Sequence, residues 1–149
     1  MQLQTPDDKL DVGMFEAIFR ALDASSERLI GSAQPRLVVI PLRDDAGAVI
    51  GGLWGHTLFQ WLVIEMLVIP EALRNQGIGS SLIALAETEA RARGCIGVYT
   101  DTFSFQAAPF YRKLGFTVFG TLENFPPGHN RLYFSKCLAS PPPKNAEAP

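Results

Sequence analysis

Cysteine and histidine are scarce in this chain, with two of each among 149 residues. Two cysteines cannot build a disulfide framework, and so few soft ligands set no metal-binding spacing, so no metal is expected. Cys95 opens a predicted strand and Cys137 closes another, and both read as small buried hydrophobes in a reducing cytoplasm. Basic charge is not in surplus either. Thirteen Lys and Arg against 15 Asp and Glu give a net charge of −2, and the scattered cations form no stripe that would grip a nucleic acid. Long apolar runs are missing as well. The longest, at 37–42 and 61–69, fall far short of the ~20 residues of a membrane span, and Glu65 interrupts the second. Residues 1–8 have neither the basic nor the apolar segment of a secretory leader. The expectation is a soluble, cytoplasmic protein with no membrane or nucleic-acid partner.

What remains is enough for one domain. A chain of 149 residues buries about 68–70% of the surface its unfolded form exposes. Residues 1–139 read as that domain, and 140–149, rich in proline and without apolar pattern, as a mobile tail. Phe15, Ile18, Phe19 and Leu22 recur at helical spacing, which predicts one or two helices across 11–30, broken or bent near Ser25 and Ser26 and stopped by Gly31. Residues 37–42 read as a strand, placed at a sheet edge by Pro41. Turn chemistry at Asp44, Asp45, Ala46 and Gly47 joins it to a second strand over 49–59. Gly51 and Gly52 mark a bulge or a close backbone approach there.

The β-branched and aromatic run 61–69 is a third strand, ended by Pro70. The period then changes. Ile78, Leu82, Leu85 and Ala86 lie on one face of a helix reaching about residue 93, with Gly94 as its stop. Residues 96–100 return as a strand, so strand, helix and strand imply a right-handed parallel crossover. Pro109 suits the first turn of a short helix over 108–114, capped by Gly115. Residues 116–121 and 131–138 form a closing antiparallel pair around the loop 124–130. The sum is an α/β (α+β) fold, a mixed and mostly antiparallel sheet of about six strands with helices on both faces.

The most specific segment is Arg74-Asn75-Gln76-Gly77-Ile78-Gly79-Ser80-Ser81, between the third strand and its helix. The first amides of a helix lack intrahelical partners and lie at the positive end of its dipole, so an anion is stabilised there. Gly77 and Gly79 let the backbone approach a bulky diphosphate, and Arg74 adds a charge-assisted contact. The Gly-Lys-Ser/Thr ending of a P-loop is missing, and so is the Gly-x-Gly-x-x-Gly dinucleotide fingerprint. The remaining pattern, Arg-x-x-Gly-x-Gly, resembles the acetyl-CoA loop of the GNAT superfamily of N-acetyltransferases. Downstream, Phe110-Tyr111-Arg112-Lys113-Leu114-Gly115-Phe116 resembles the second CoA-binding helix of that family, in the expected order and separation. Together the two motifs and the preceding strand span about 61–119.

The resemblance implies a GNAT-like sheet whose parallel strands, ending at Ile69 and starting at Ile96, splay apart to admit pantetheine. It implies acetyl-CoA as acyl donor, attacked directly by a primary amine in a ternary complex, without metal or covalent enzyme intermediate. Amides around Gln76 to Ser81 would hold the pyrophosphate, and backbone groups of Leu67, Val68 and Ile69 the pantetheine and the oxyanion, where one aimed N–H is worth ~2.7–4 kcal/mol. Tyr111 matches the family's tyrosine, the general acid for the leaving thiolate. A phenol near pKa ~10 protonates a thiolate whose acid lies near ~8.5 with modest driving force, an effect of ~10–10³-fold. Glu65, a lone acid in an apolar strand, either is the base that deprotonates the amine or anchors a structural hydrogen bond or ion pair, with a water relay as the other route for the proton and His56 and His129 as weaker candidates. Asp101 either orients substrate or caps a turn. Where many family members carry asparagine, seven residues before the tyrosine, this chain has Ser104, with Gln106 as a longer replacement contact to pantetheine. Phe103 and Phe105 either line an acceptor pocket or belong to the core. The acceptor expected is a small-molecule amine. A protein N-terminus or lysine, an acyl-CoA sensor without turnover, and a homodimer of unspecified interface stay open.

Overall fold

The computed structural model describes residues 11–31 and 33–138, which fall into two compact units divided between Gln34 and Pro35. The reading of residues 1–8 as leaderless and of 140–149 as a tail lies outside the described residues. In the first unit, α1 (Val12–Ile30) starts where the Asp11 carboxylate accepts the Met14 N–H at 3.0 Å, an N-cap that satisfies one orphan donor. No break occurs near Ser25 and Ser26, and α1 is one continuous helix. Both hydroxyls donate to the Leu22 carbonyl, at 2.7 and 3.2 Å, so their competition with the backbone is absorbed within the turn. The helix continues to Gly31, whose N–H returns to the Glu27 carbonyl.

The second unit is a six-stranded sheet in the order β1-β2-β3-β4-β6-β5. Its strands are β1 (Arg36–Arg43), β2 (Val49–Leu58), β3 (Trp61–Val68), β4 (Gly97–Phe103), β5 (Thr117–Leu122) and β6 (Arg131–Cys137). Only β3 and β4 run parallel, joined by α2 (Ile78–Ala92); α3 (Ala108–Lys113) follows β4. Pro41 does sit on an edge strand. The glycine pair in β2 is a close approach: a Cβ on Gly52 would collide with the Ile40 carbonyl of β1. One step on, Trp54 and Gly55 face Met66 and Ile64, so Glu65 is the extra residue of a β-bulge in β3. A bulge re-aims the side chain it carries.

Leu62, Ile64, Val98 and Phe134 on one sheet face pack with Leu82, Ile83, Ala86 and Ala90 of α2 and with Tyr111 of α3. Each such large apolar side chain stabilises the fold by ~1.5–3 kcal/mol. The buried stripe of α2 is rotated from the one its apolar spacing predicts. Leu85 is exposed, whereas Glu87 is buried. That carboxylate is tied to Lys136 of β6 at 2.6 Å and to Arg91 at 3.2 Å, which satisfies it away from water. The cysteine expectation is half corrected. Cys95 is buried, and burial raises its thiol pKa, with Arg93 opposing; Cys137 is exposed. No helix among the described residues is long and apolar enough to cross a membrane.

Candidate active site

Residues 61–64 of β3 pair with 97–100 of β4, and there the pairing stops. The Thr100 hydroxyl donates to the Ile64 carbonyl at 3.0 Å across the last rung. Beyond it each strand follows its outer neighbour. Met66, Leu67 and Val68 stay registered with Trp54, Leu53 and Gly52 of β2, while Asp101, Thr102 and Phe103 stay registered with β6. Backbone groups on the inner edges are thus left without a strand partner, facing a cleft of about 960 Å3. Its walls come from 65–69, from the loop and helix start at 73–80, and from 100–111.

At one end of the cleft is the turn into α2. Gly77 has φ +81°, and a Cβ there would meet open space, so both the conformation and the approach are those of glycine. No side chain caps α2. The first return bond is from the Ser81 N–H to the Gly77 carbonyl at 3.0 Å, which leaves the amides of Ile78, Gly79 and Ser80 without helical acceptors. Arg74 donates Nε to the Ile69 carbonyl at 3.1 Å and has no acidic partner among the described residues. Gly79 differs from its expected use. A Cβ there would lie 3.2 Å from two atoms of the Phe110 ring, tighter than ordinary contact, so a glycine at this position eases the packing of α3 against α2.

At the other end are the groups nearest the splay. Tyr111 is 4% exposed and wedged among Phe110, Phe116 and Phe134, with centroids at 5.2, 5.5 and 5.6 Å. Burial raises its phenol pKa above the ordinary value; the Thr100 hydroxyl beside it opposes the rise and the Asp101 carboxylate adds to it. The phenol is therefore kept neutral and able to donate. Glu65 is not the buried acid its apolar neighbours suggest. Its side chain is 46% exposed and its Oε1 lies 3.2 Å from His56 Nδ1, because the bulge turns it out of the core. Asp101 is held by Arg131 at 2.5 Å, and this bond raises the guanidinium pKa.

A family model described as the acetyltransferase (GNAT) family matches residues 8–116. An acetyltransferase of Agrobacterium fabrum is 40% identical over 129 residues, covering 87% of this chain and 94% of its own length. The chain belongs to the GNAT acetyltransferase family. Blasticidin-S acetyltransferase of Streptomyces morookaense is 41% identical over 85 residues, 56% of this chain and 62% of that protein. Among solved structures, an Agrobacterium tumefaciens protein assigned as an acetyltransferase superposes with TM-score 0.83 at 38% identity, covering 91% of this chain and 99% of that one. An acetyltransferase from Bacillus cereus gives 0.76 at 28%, covering 89% and 97%.

As a GNAT acetyltransferase the protein uses acetyl-CoA as acyl donor. The α2 end of the cleft fits a diphosphate: uncapped helix amides, a guanidinium with no acidic partner among the described residues and an open glycine face converge there. Of the GNAT positions expected from sequence, Glu65, Leu67, Val68, Ile69, Arg74, Asn75, Gly77, Ile78, Gly79, Ser80, Gln106 and Tyr111 line the cleft. Three do not. Gln76 donates its amide to the Ala72 carbonyl at 3.0 Å, and the Ser81 hydroxyl donates to Gly77 at 3.2 Å. Ser104 is drawn the other way: its Oγ accepts the Asn130 N–H at 3.1 Å, fastening the loop 124–130 instead of facing the cleft. Gln106 does line the cleft, although its Oε1 accepts from Thr102 Oγ1 at 3.2 Å. Thr100, at the apex of the splay, carries no sequence signal of its own, since a threonine in a strand is ordinary. His56 becomes a neighbour of Glu65 only through the β2 and β3 register.

Proposed function

We propose that this GNAT enzyme acetylates a primary amine of a small molecule, by direct attack of that amine on the thioester within a ternary complex. One observation supports the reading above others. A single cleft joins the donor loop, the unpaired inner edge of β3, Tyr111 and Glu65, so binding and proton transfer share one space. The amides of Ile78, Gly79 and Ser80, with Arg74 and Asn75 at the edge, would hold the diphosphate. Those backbone groups of Leu67, Val68 and Ile69 that β2 and Arg74 leave free would bind pantetheine and face the negative charge that develops on the carbonyl oxygen; the Val68 carbonyl lies against Gly51 of β2 and the Ile69 carbonyl accepts from Arg74. Gln76 and Ser81 support this end by holding the loop and helix start in shape, while Gln106 holds the turn after β4 through Thr102 and the Phe103 N–H.

Glu65 would take a proton from the acceptor's ammonium and so free the neutral amine that attacks, with His56 orienting its carboxylate and passing the proton towards solvent. Tyr111, kept protonated by burial, would give its proton to the departing thiolate and regain one as the product leaves. A small-molecule acceptor agrees with the name of the Streptomyces relative, blasticidin-S acetyltransferase. The test is a panel of amines incubated with acetyl-CoA, read by free CoA release and by product mass. Amine-dependent release with a product 42 mass units heavier, about one acetyl in place of a hydrogen, supports the reading. Acetyl-CoA binding with no amine-dependent release would overturn it.

A further inference from the structure

Phe105 lines the cleft and is 55% exposed. An aromatic ring left open inside an active-site cleft is a recognition surface in want of a partner. Its setting gives that surface a shape. Phe103 lies parallel to it, with centroids 5.5 Å apart and planes 4° apart. Phe125 meets Phe103 edge-on at 5.9 Å, and His129 meets Phe105 at 4.7 Å. Behind them the Arg131 guanidinium sits over Phe103, Phe125 and Tyr133, at 5.6, 5.4 and 5.7 Å, while Asp101 holds it by its Nε. The loop bearing Phe125 and His129 is closed on itself by the Phe125 N–H to His129 carbonyl bond at 2.8 Å. It is anchored to Ser104 through both the Ser104 N–H and Oγ.

Two further features narrow what this shelf can receive. Asp101, the anion among the residues that build the shelf, is neutralised by Arg131, so these residues offer no free negative charge to a cation. The carboxylate with room for an ammonium, Glu65, stands on the opposite wall, on the other splayed strand. A ligand spanning both would place a flat apolar group on the shelf and an amine towards β3.

We infer that the acceptor subsite takes a primary amine carried on a planar π-system, aryl or heteroaryl, whose ring continues the Phe103 and Phe105 stack. The inference rests on the proposed acetyl transfer to a small amine and adds its substrate class. Because Phe105 is packed in place before any ligand arrives, little side-chain freedom is lost on stacking.

The experiment uses the full chain and two readouts. Calorimetry measures binding of an arylmethylamine and of its saturated cyclohexyl counterpart to the enzyme saturated with CoA; initial rates measure kcat/KM for both with acetyl-CoA. The wild type is expected to favour the aryl amine in both readouts, and Phe105→Leu to lose that preference by about 3- to 10-fold through KM, the size of one ring–ring contact. Phe105→Trp is expected to keep it, and acetyl-CoA affinity is expected to stay unchanged in both variants. Equal binding of the two amines by the wild type would overturn the inference. So would an equal loss for both in Phe105→Leu, or a fall in acetyl-CoA affinity, which would put Phe105 on the donor. If neither amine is acetylated but aryl-selective binding disappears in Phe105→Leu, the subsite stands and the acetyl-transfer reading fails.

Discussion

Tyr111 carries two opposing demands at the residue scale. Burial keeps its phenol protonated and so available as a donor, yet the same shift makes it a weaker acid towards a thiolate. Tyr111→Phe is expected to lower kcat by ~10–10³-fold, with acetyl-CoA affinity unchanged in a titration; a normal kcat would reduce Tyr111 to packing. Its linkage to stability has a definite sign. The folded pKa is raised, so the contribution is complete below the unfolded value near ~10 and is lost as pH climbs through the folded value. Melting temperatures measured from pH 9 to 11 should therefore fall more steeply for wild type than for Tyr111→Phe. Glu65→Gln is expected to reduce kcat/KM by ~10²–10⁴-fold, the usual worth of a general base. His56→Gln, which keeps a polar group beside Glu65 without the imidazole, should cost less. An active Glu65→Gln enzyme would move the base elsewhere.

Among the elements, α2 determines most. Its start is held by two glycines with different tasks, open space at Gly77 and contact with Phe110 at Gly79. Gly79→Ala forces a methyl to within 3.2 Å of the Phe110 ring and is expected to cost ~1–3 kcal/mol, as overpacking does. Adding Phe110→Leu should recover part of that loss in denaturant melts; no recovery would mean the helix start itself is distorted. The loop and helix were legible in the sequence because local features specify them: a β-branched run, a proline stop, paired glycines and a helical period. Long-range packing was not legible. The exposure of Leu85 and the burial of Glu87 follow from where Lys136 of β6 reaches, and the exposure of Glu65 follows from a bulge in the β2 register. Ser104 holds a loop because Asn130, 26 residues on, comes to meet it. The unbroken α1 turned on two hydroxyl bonds that composition does not reveal.

For the molecule as a whole, the sheet acts as a wedge. Outer neighbours keep the ends of β3 and β4 apart, so the cleft is built before any ligand is bound. Ligand binding should then raise stability without refolding the strands. Acetyl-CoA at ~100 times its Kd is expected to add ~2.7 kcal/mol, a shift of several degrees in melting temperature. The claim on which this depends is that helix amides and Arg74 grip the diphosphate arm of the donor. Calorimetric titration with acetyl-CoA, set beside S-acetylpantetheine, which lacks that arm, tests it most directly. Saturable binding of acetyl-CoA with at least about tenfold weaker binding of the truncated thioester, a difference of ~1.4 kcal/mol, is the expected result. Equal affinity for the two, or no binding of acetyl-CoA by folded protein, would contradict it.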